Sequence, residues 1–285
     1  MSGMRTCTAM AALVAAVAFS NSTPVLAQSA WNQISETGVF RIGVIPARPP
    51  YMWQKLGSDD WEGFTVEMAK NVVDALSHAN AMNKAIKLTY VPTSFQTVVL
   101  DIQSNRLDAF FGFSITEKRK EAIDMFGPLY ALAHVLINRD GFYPGDKWED
   151  YNKPDVKVSF ALGTTDQDTV KKLLPKATQL GMRNESEAIM SVQSSNADAF
   201  STTVLTGLAS FQLNPNFSRM VVAKPVEMSN PSGGGVRKDG EGRLHSFMQA
   251  WAWSNHQAGI SKAMIIDSIH KAGMDPSKLP PEMKF

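Results

Sequence analysis

Phe113-Ser114-Ile115-Thr116-Glu117-Lys118-Arg119-Lys120-Glu121-Ala122-Ile123-Asp124-Met125-Phe126-Gly127-Pro128-Leu129-Tyr130 is the stretch on which the reading of the fold turns. The apolar run before it, Leu107 to Phe113, reads as a buried strand that ends at Gly112 and Phe113. Thr116 has the chemistry of an N-cap for a helix beginning at Glu117. That puts Arg119 in a first helical turn, beside free backbone N–H groups, where a planar guanidinium can grip a carboxylate by its fork. A surface ion pair with Glu117 or Asp124 is the competing use of the same arginine.

Strands and helices alternate outward from this stretch. Val39 to Ile45 is a short apolar strand bounded by Gly38 and Pro46. Phe64, Met68, Val72 and Leu76 recur at helical spacing, Ile86 to Val91 is a strand, and Phe95 to Ile102 reads as a helix. Ala131 to Asn138 is a further strand, after which the alternation restarts. Val156 to Leu162 predicts a strand ending in Gly163-Thr164-Thr165, which opens a helix from Asp166 to Leu174. A helix over 185–194, a strand over 197–201 and a helix over 203–211 follow, with an apolar segment over 220–226. Two helices close the chain, Arg243 to His256 and Ile260 to Ala272, and Gly233-Gly234-Gly235 reads as a turn. Such alternation implies α/β architecture with mostly parallel sheets and right-handed crossovers.

The chain has 285 residues with 28 Lys and Arg against 27 Asp and Glu. Residues 1–27 carry the marks of a secretory leader: Arg5, an apolar core from Ala9 to Phe19, and Val25-Leu26-Ala27 before the expected cut. Its loss removes one base and no acid, leaving 27 of each sign. A balanced surface offers no basic excess for nucleic acid or an anionic bilayer. No later stretch is apolar for long enough to span a membrane. Cys7, the single cysteine, lies in the leader, so the mature chain is expected to be free of thiols, as suits an oxidising compartment. No low-complexity tract or short repeat stands out. The five histidines show no metal-ligand spacing, and neither a Gly-x-Ser-x-Gly elbow nor a phosphate-binding Walker loop occurs. No cofactor and no metal is expected.

Ser114-x-Thr116-x-x-Arg119 followed by Phe126-Gly127-Pro128-Leu129-Tyr130 resembles the Ser-x-Thr-x-x-Arg…Phe-Ser-x-Pro-Tyr signature of the family 3 extracellular solute-binding proteins. These are the amino-acid-binding subunits of ABC importers. Here Gly stands for Ser and one extra residue precedes the Tyr. The resemblance implies the type II periplasmic binding protein fold: two lobes, each a mixed, mostly parallel sheet flanked by helices, joined by two hinge crossings. Lobe 1 would comprise 28–131 and 229–285, and lobe 2 would comprise 132–228, with hinges near Ala131 and Glu227. A periplasmic, monomeric binder that closes on a small carboxylate solute and delivers it to inner-membrane permease subunits is the function implied.

The resemblance also implies site residues. Arg119, Ser114 and Thr165 would take the ligand carboxylate, with Gly112 and Phe111 bordering it and Thr164 in the matching turn of lobe 2. Tyr51 and Phe95 would supply aromatic walls. The family's amine-binding Asp is replaced by Thr203, a neutral hydroxyl, so either the ligand lacks a free amine or Asp166 takes that part. Asp198 reads as structural. Arg48 stands where the family has an aromatic. It either faces the cleft as a second anion site or lies at the solvent rim with its stem over Trp53 or Tyr51. Two rival readings are an enzyme on the same scaffold, resembling cyclohexadienyl dehydratase, and a sensor module for a membrane receptor.

Overall fold

A computed structural model describes residues 28–78, 82, 84–214 and 217–280; the leader over 1–27, Cys7 included, lies outside them. Ser29 caps α1 (Ala30–Thr37), accepting from the Asn32 N–H, and Gly38 ends it in the left-handed region. There follow β1 (Val39–Val44), the short pair β2 (Trp53–Gln54) and β3 (Trp61–Glu62), α2 (Phe64–His78), β4 (Lys87–Pro92), α3 (Val98–Gln103), β5 (Ala109–Ser114), α4 (Glu117–Ala122) and β6 (Asp124–Tyr130). The second run is β7 (His134–Arg139), α5 (Trp148–Tyr151), β8 (Lys157–Ala161), α6 (Thr165–Leu173), β9 (Thr178–Met182), α7 (Glu185–Gln193), β10 (Ala199–Thr203), α8 (Val204–Leu213) and β11 (Phe217–Val221). The chain then returns through β12 (Ser232–Val236) to α9 (Arg243–Gln257) and α10 (Ile260–Lys271).

Two five-stranded sheets result, ordered β4-β1-β5-β12-β6 and β11-β7-β10-β8-β9. Each contains one strand, β12 in the first and β7 in the second, that runs against both its neighbours. Both sheets are therefore mixed and mostly parallel, with helices on their faces. The apolar stripe of α2 is buried as its spacing requires: Phe64, Met68, Val72 and Leu76 are all inaccessible to solvent. α10 packs on α2, and α9 lies along β6, so the C-terminal helices cover the sheet built by the first third of the chain. The two passages between sheets pair with each other. The Ser229 N–H donates to the Leu132 carbonyl at 2.7 Å and the His134 N–H to the Glu227 carbonyl at 2.8 Å.

Both sheets share a corner. Gln103-Ser104-Asn105-Arg106-Leu107-Asp108-Ala109-Phe110 and Gln193-Ser194-Ser195-Asn196-Ala197-Asp198-Ala199-Phe200 each carry a helix end into a central strand. Asn105 and Ser195 hold matching positive φ angles of 61° and 59°. Asp108 accepts from the backbone N–H and Nε of Arg41 and pairs with its Nη2 at 2.6 Å. Asp198 accepts from the Lys157 N–H and from Arg139 Nε, both at 2.9 Å. This is an internal repeat after all. It escapes a scan for identities because the carboxylate, the turn and the following Ala-Phe recur while the positions between them vary.

Gly233-Gly234-Gly235 is not a turn but the interior of the buried strand β12. Small residues are required there because β12 is squeezed between β5 and β6. A Cβ on Gly234 would run into the Phe126 ring and the Phe110 carbonyl. The β5–β12 register also slips: Gly233 faces Phe113 while Gly234 faces Phe111. Gly112, at φ 86°, is thus the extra residue of a β-bulge. Simple alternation puts Phe111 and Phe113 on one face, but the bulge rotates Phe113 to the Phe110 side. The Phe110 and Phe113 rings meet at 4.9 Å, and Phe111 instead packs on Phe126 and Trp251. A Gly234→Ala change should overpack this seam and destabilise the protein by about 1–3 kcal/mol. A lower urea midpoint with an unchanged slope would record it; an unchanged midpoint would show that the seam has slack.

Candidate functional site

The ends of β1 and β5 in one sheet and β8 and β10 in the other converge on a cleft. It is lined by Arg48, Tyr51, Phe95, Gly112, Phe113, Ser114, Arg119, Leu132, Thr164, Thr165, Thr203 and Ser232. Open α/β sheets place ligands at this position, beyond strand ends and against helix starts.

Arg119 is positioned by its own helix cap. The Thr116 hydroxyl accepts from the Arg119 N–H, with Thr116 extended as an N-cap. The guanidinium then folds back: Nη1 donates to the Ser114 carbonyl at 2.6 Å, and Nη2 reaches the Gly163 carbonyl at 3.1 Å on the facing sheet. Its plane lies 4.6 Å from the Phe113 ring centroid. Burial pulls its pKa down to about 10, so the group stays cationic at neutral pH. The competing surface ion pair does not form; Lys120, not Arg119, pairs with Glu117. Among the described residues no carboxylate lies within ion-pair distance of Arg119.

Arg48 is buried in the cleft and not at the rim. Its guanidinium stacks 3.6 Å over the Tyr51 ring and 4.8 Å from the Phe95 ring, a cation held by two aromatic faces. Its Nε donates to Glu185 Oε2 at 2.7 Å and Nη2 to Oε1 at 3.4 Å. Desolvation works against the charge, but Glu185 and Tyr51 outweigh it and hold the pKa above the ordinary arginine value. Glu185 sits in the first turn of α7 and also accepts from the Thr206 hydroxyl at 3.3 Å. Sequence reasoning missed Glu185, because an acid just after an Asn N-cap already has a complete explanation in the helix dipole. Nothing local marks its reach to a residue 137 positions away.

The facing sheets touch at further points around the cleft. Ser114 and Thr165 share a hydroxyl hydrogen bond at 3.3 Å, as do Tyr51 and Thr203. Gln96 Nε2 donates to the Arg183 carbonyl at 3.0 Å. Gly163, at φ 81°, lies so close to the Phe95 backbone that a Cβ would come within 2.9 Å of its carbonyl oxygen. Thr164 caps α6 by backbone, its hydroxyl turned to the Ala161 carbonyl. The helix starts one residue before the sequence expectation, at Thr165.

Two expected site residues stand elsewhere. Phe111 is in the core, for the bulge reason given above, and Phe113 takes its place as cleft wall. Asp166 does not line the cleft. Its Oδ1 is 2.9 Å from Nδ1 of the buried His134, whose Nε2 lies 3.3 Å from the Thr169 hydroxyl. One oxygen of this carboxylate is thus committed to His134 and not to the cleft. Leu132, from one of the paired passages, and Ser232, the first residue of β12, are lining residues that no sequence motif singled out. No group of acids, histidines or cysteines with metal-holding geometry occurs among the described residues. Nor is any described helix long and apolar enough to cross a membrane.

Comparison with known proteins agrees with this architecture. A glutamine-binding protein of Geobacillus stearothermophilus is 26% identical over 161 residues, 55% of this chain and 57% of its own length. The ABC transporter glutamine-binding protein of Bacillus subtilis (strain 168) is 24% identical over 184 residues, 64% of this chain and 63% of its own. The chain thus spans somewhat less than two thirds of these curated relatives. Among solved structures, an ancestral amino acid-binding protein, a precursor of cyclohexadienyl dehydratase, superimposes with a TM-score of 0.70 at 26% identity, covering 84% of this chain and 99% of that one. The solute receptor for L-cysteine of Neisseria gonorrhoeae gives 0.75 at 21% identity over 90% and 99% of the two chains, a likeness of fold. With residues 40–252 matching the family as well, the two-sheet cleft protein described above belongs to the bacterial extracellular solute-binding proteins, family 3.

Proposed function

We propose that the chain is the periplasmic substrate-binding protein of an ABC importer. It closes two lobes on a small carboxylate-bearing solute and presents the closed form to inner-membrane permease subunits as a monomer. One observation carries the reading. The Arg119 guanidinium is half-buried in the cleft, bound to a carbonyl from each side, with no described carboxylate within ion-pair distance. A desolvated guanidinium with no carboxylate at ion-pair distance favours an anion that completes its fork. The Ser114 and Thr165 hydroxyls and the start of the nine-residue α6 offer further donors to the same group. The relatives named above are binding proteins for amino acids, which supports a carboxylate as the common handle.

Lobe boundaries at 131/132 and 228/229 follow from the same reading, the paired passages acting as the hinge. Binding and not turnover is the chemistry. Glu185 is taken by Arg48 and Asp166 by His134, so neither acid stands ready as a proton carrier for a dehydratase. Export through cleavage after Ala27 completes the scheme; the intact mass of periplasmic protein should correspond to a chain starting at Gln28, and retention of residues 1–27 would contradict it.

Ligand at about 100 times its Kd should raise stability by about 2.7 kcal/mol, readable in a thermal-shift screen of organic acids and amino acids. Arg119→Met should weaken the responding ligand by about 2–5 kcal/mol. An unchanged response in that variant would remove Arg119 from the site. Closure makes a separate demand on Gly163. Gly163→Ala should cost about 1–2 kcal/mol of stability, because φ 81° is a left-handed conformation, and should in addition lower ligand affinity and keep the radius of gyration from shrinking when ligand is added. Normal compaction of the variant would show that the lobes do not meet at Gly163.

A further inference from the structure

The cleft holds a second guanidinium that is only half used. Arg48 turns its Nε/Nη2 edge to Glu185, while its Nη1 is buried without a hydrogen-bond partner. A guanidinium has two edges suited to a carboxylate, and fixing one aims the other. The stack on Tyr51 and Phe95 prevents the plane from rotating. Glu185 is itself drawn away from the cleft by Thr206 and by the first turn of α7, so its charge is shared. No carboxylate is among the residues that line the cleft, whereas two guanidiniums and six hydroxyls are. Arg48 also occupies the space between the two aromatic faces, which shortens the room for a ligand body.

We propose that the ligand is a short organic dianion, a dicarboxylate without a free ammonium, held at one end by Arg119 and at the other by Nη1 of Arg48, with Glu185 as the positioning residue for Arg48. This rests on the carboxylate reading above and narrows it. An ammonium brought into the same space would meet two cations and no acceptor carboxylate. It would be buried uncompensated.

Calorimetric titration of wild-type protein, refolded to strip any retained solute, tests the proposal with matched pairs: butyrate against succinate, valerate against glutarate, and glutarate against glutamate. In at least one pair the diacid should bind about 10-fold or more tightly than its monoacid, as one charge-assisted hydrogen bond allows, and glutarate should bind more tightly than glutamate. Arg48→Gln should reduce the diacid-to-monoacid ratio toward one, with Arg48→Lys falling between; melting curves establish that each variant is folded. The wild-type pairs decide the question even where a variant does not fold. Monoacids binding as tightly as diacids in every pair, or glutamate matching glutarate, would overturn the dianion proposal while leaving carboxylate capture by Arg119 standing. Absence of binding by every acid would overturn both.

Discussion

The single residue inserted at Gly112 shapes this protein more than any one side chain. In a regular strand Phe113 would share the face of Phe111; the bulge at Gly112 puts the two on opposite faces. With a left-handed glycine there, Phe113 becomes a cleft wall, Ser114 turns its carbonyl toward Arg119, and α4 starts where its arginine can reach the facing sheet. The glycines of β12 are the matching constraint on the neighbouring strand. A bulged strand pressed between two others leaves no room for Cβ atoms, and Phe126 fills what space remains. Geometry at the site is thus set by packing some distance behind it.

Electrostatics in the cleft follows from how each buried cation is balanced. Arg48 has a carboxylate, two ring faces and a tight enclosure, and its charge is held firmly. Arg119 has two carbonyl oxygens, a ring face and the more distant charge of Asp168, and burial still depresses its pKa. Carbonyl dipoles compensate a charge incompletely. The two arginines therefore differ in degree: Arg48 has a carboxylate on one edge and an unpartnered Nη1 on the other, whereas Arg119 has no carboxylate at ion-pair distance. His134 and Asp166 settle their own polarity beneath the floor, which removes from the cleft an acid that sequence position alone places there.

Much of this was legible in the residues. Alternating apolar runs and caps located β1, α2, β5, α4 and the second α/β unit, and the Thr116 cap with Arg119 three residues on marked the site. The strands β6, β9 and β12 were not legible. β12 is glycine-rich because of its neighbours, and glycine in a strand carries no pattern of its own. β6 contains Gly127-Pro128, a pair that locally signals a turn. Glu185 and the inward turn of Arg48 were beyond sequence reasoning for a related cause: each residue has a sufficient local role, and only the closed arrangement of two sheets brings them within 2.7 Å. Phe111 was set beside the ligand by the family resemblance alone, and the irregularity of β5 turns its ring to Phe126 and Trp251.

The pairing of the two passages between sheets has a mechanical meaning. A lone connecting strand is a swivel, free to turn about its own bonds in any direction. Two strands hydrogen-bonded side by side, as Leu132-Ala133 and Met228-Ser229 are, resist twisting and shear and bend chiefly across their common plane, as a ribbon does. Such a joint has essentially one degree of freedom. If the lobes close as proposed, they return along the same arc each time, and Gly163 meets Phe95, and Glu185 meets Arg48, without a search over orientations.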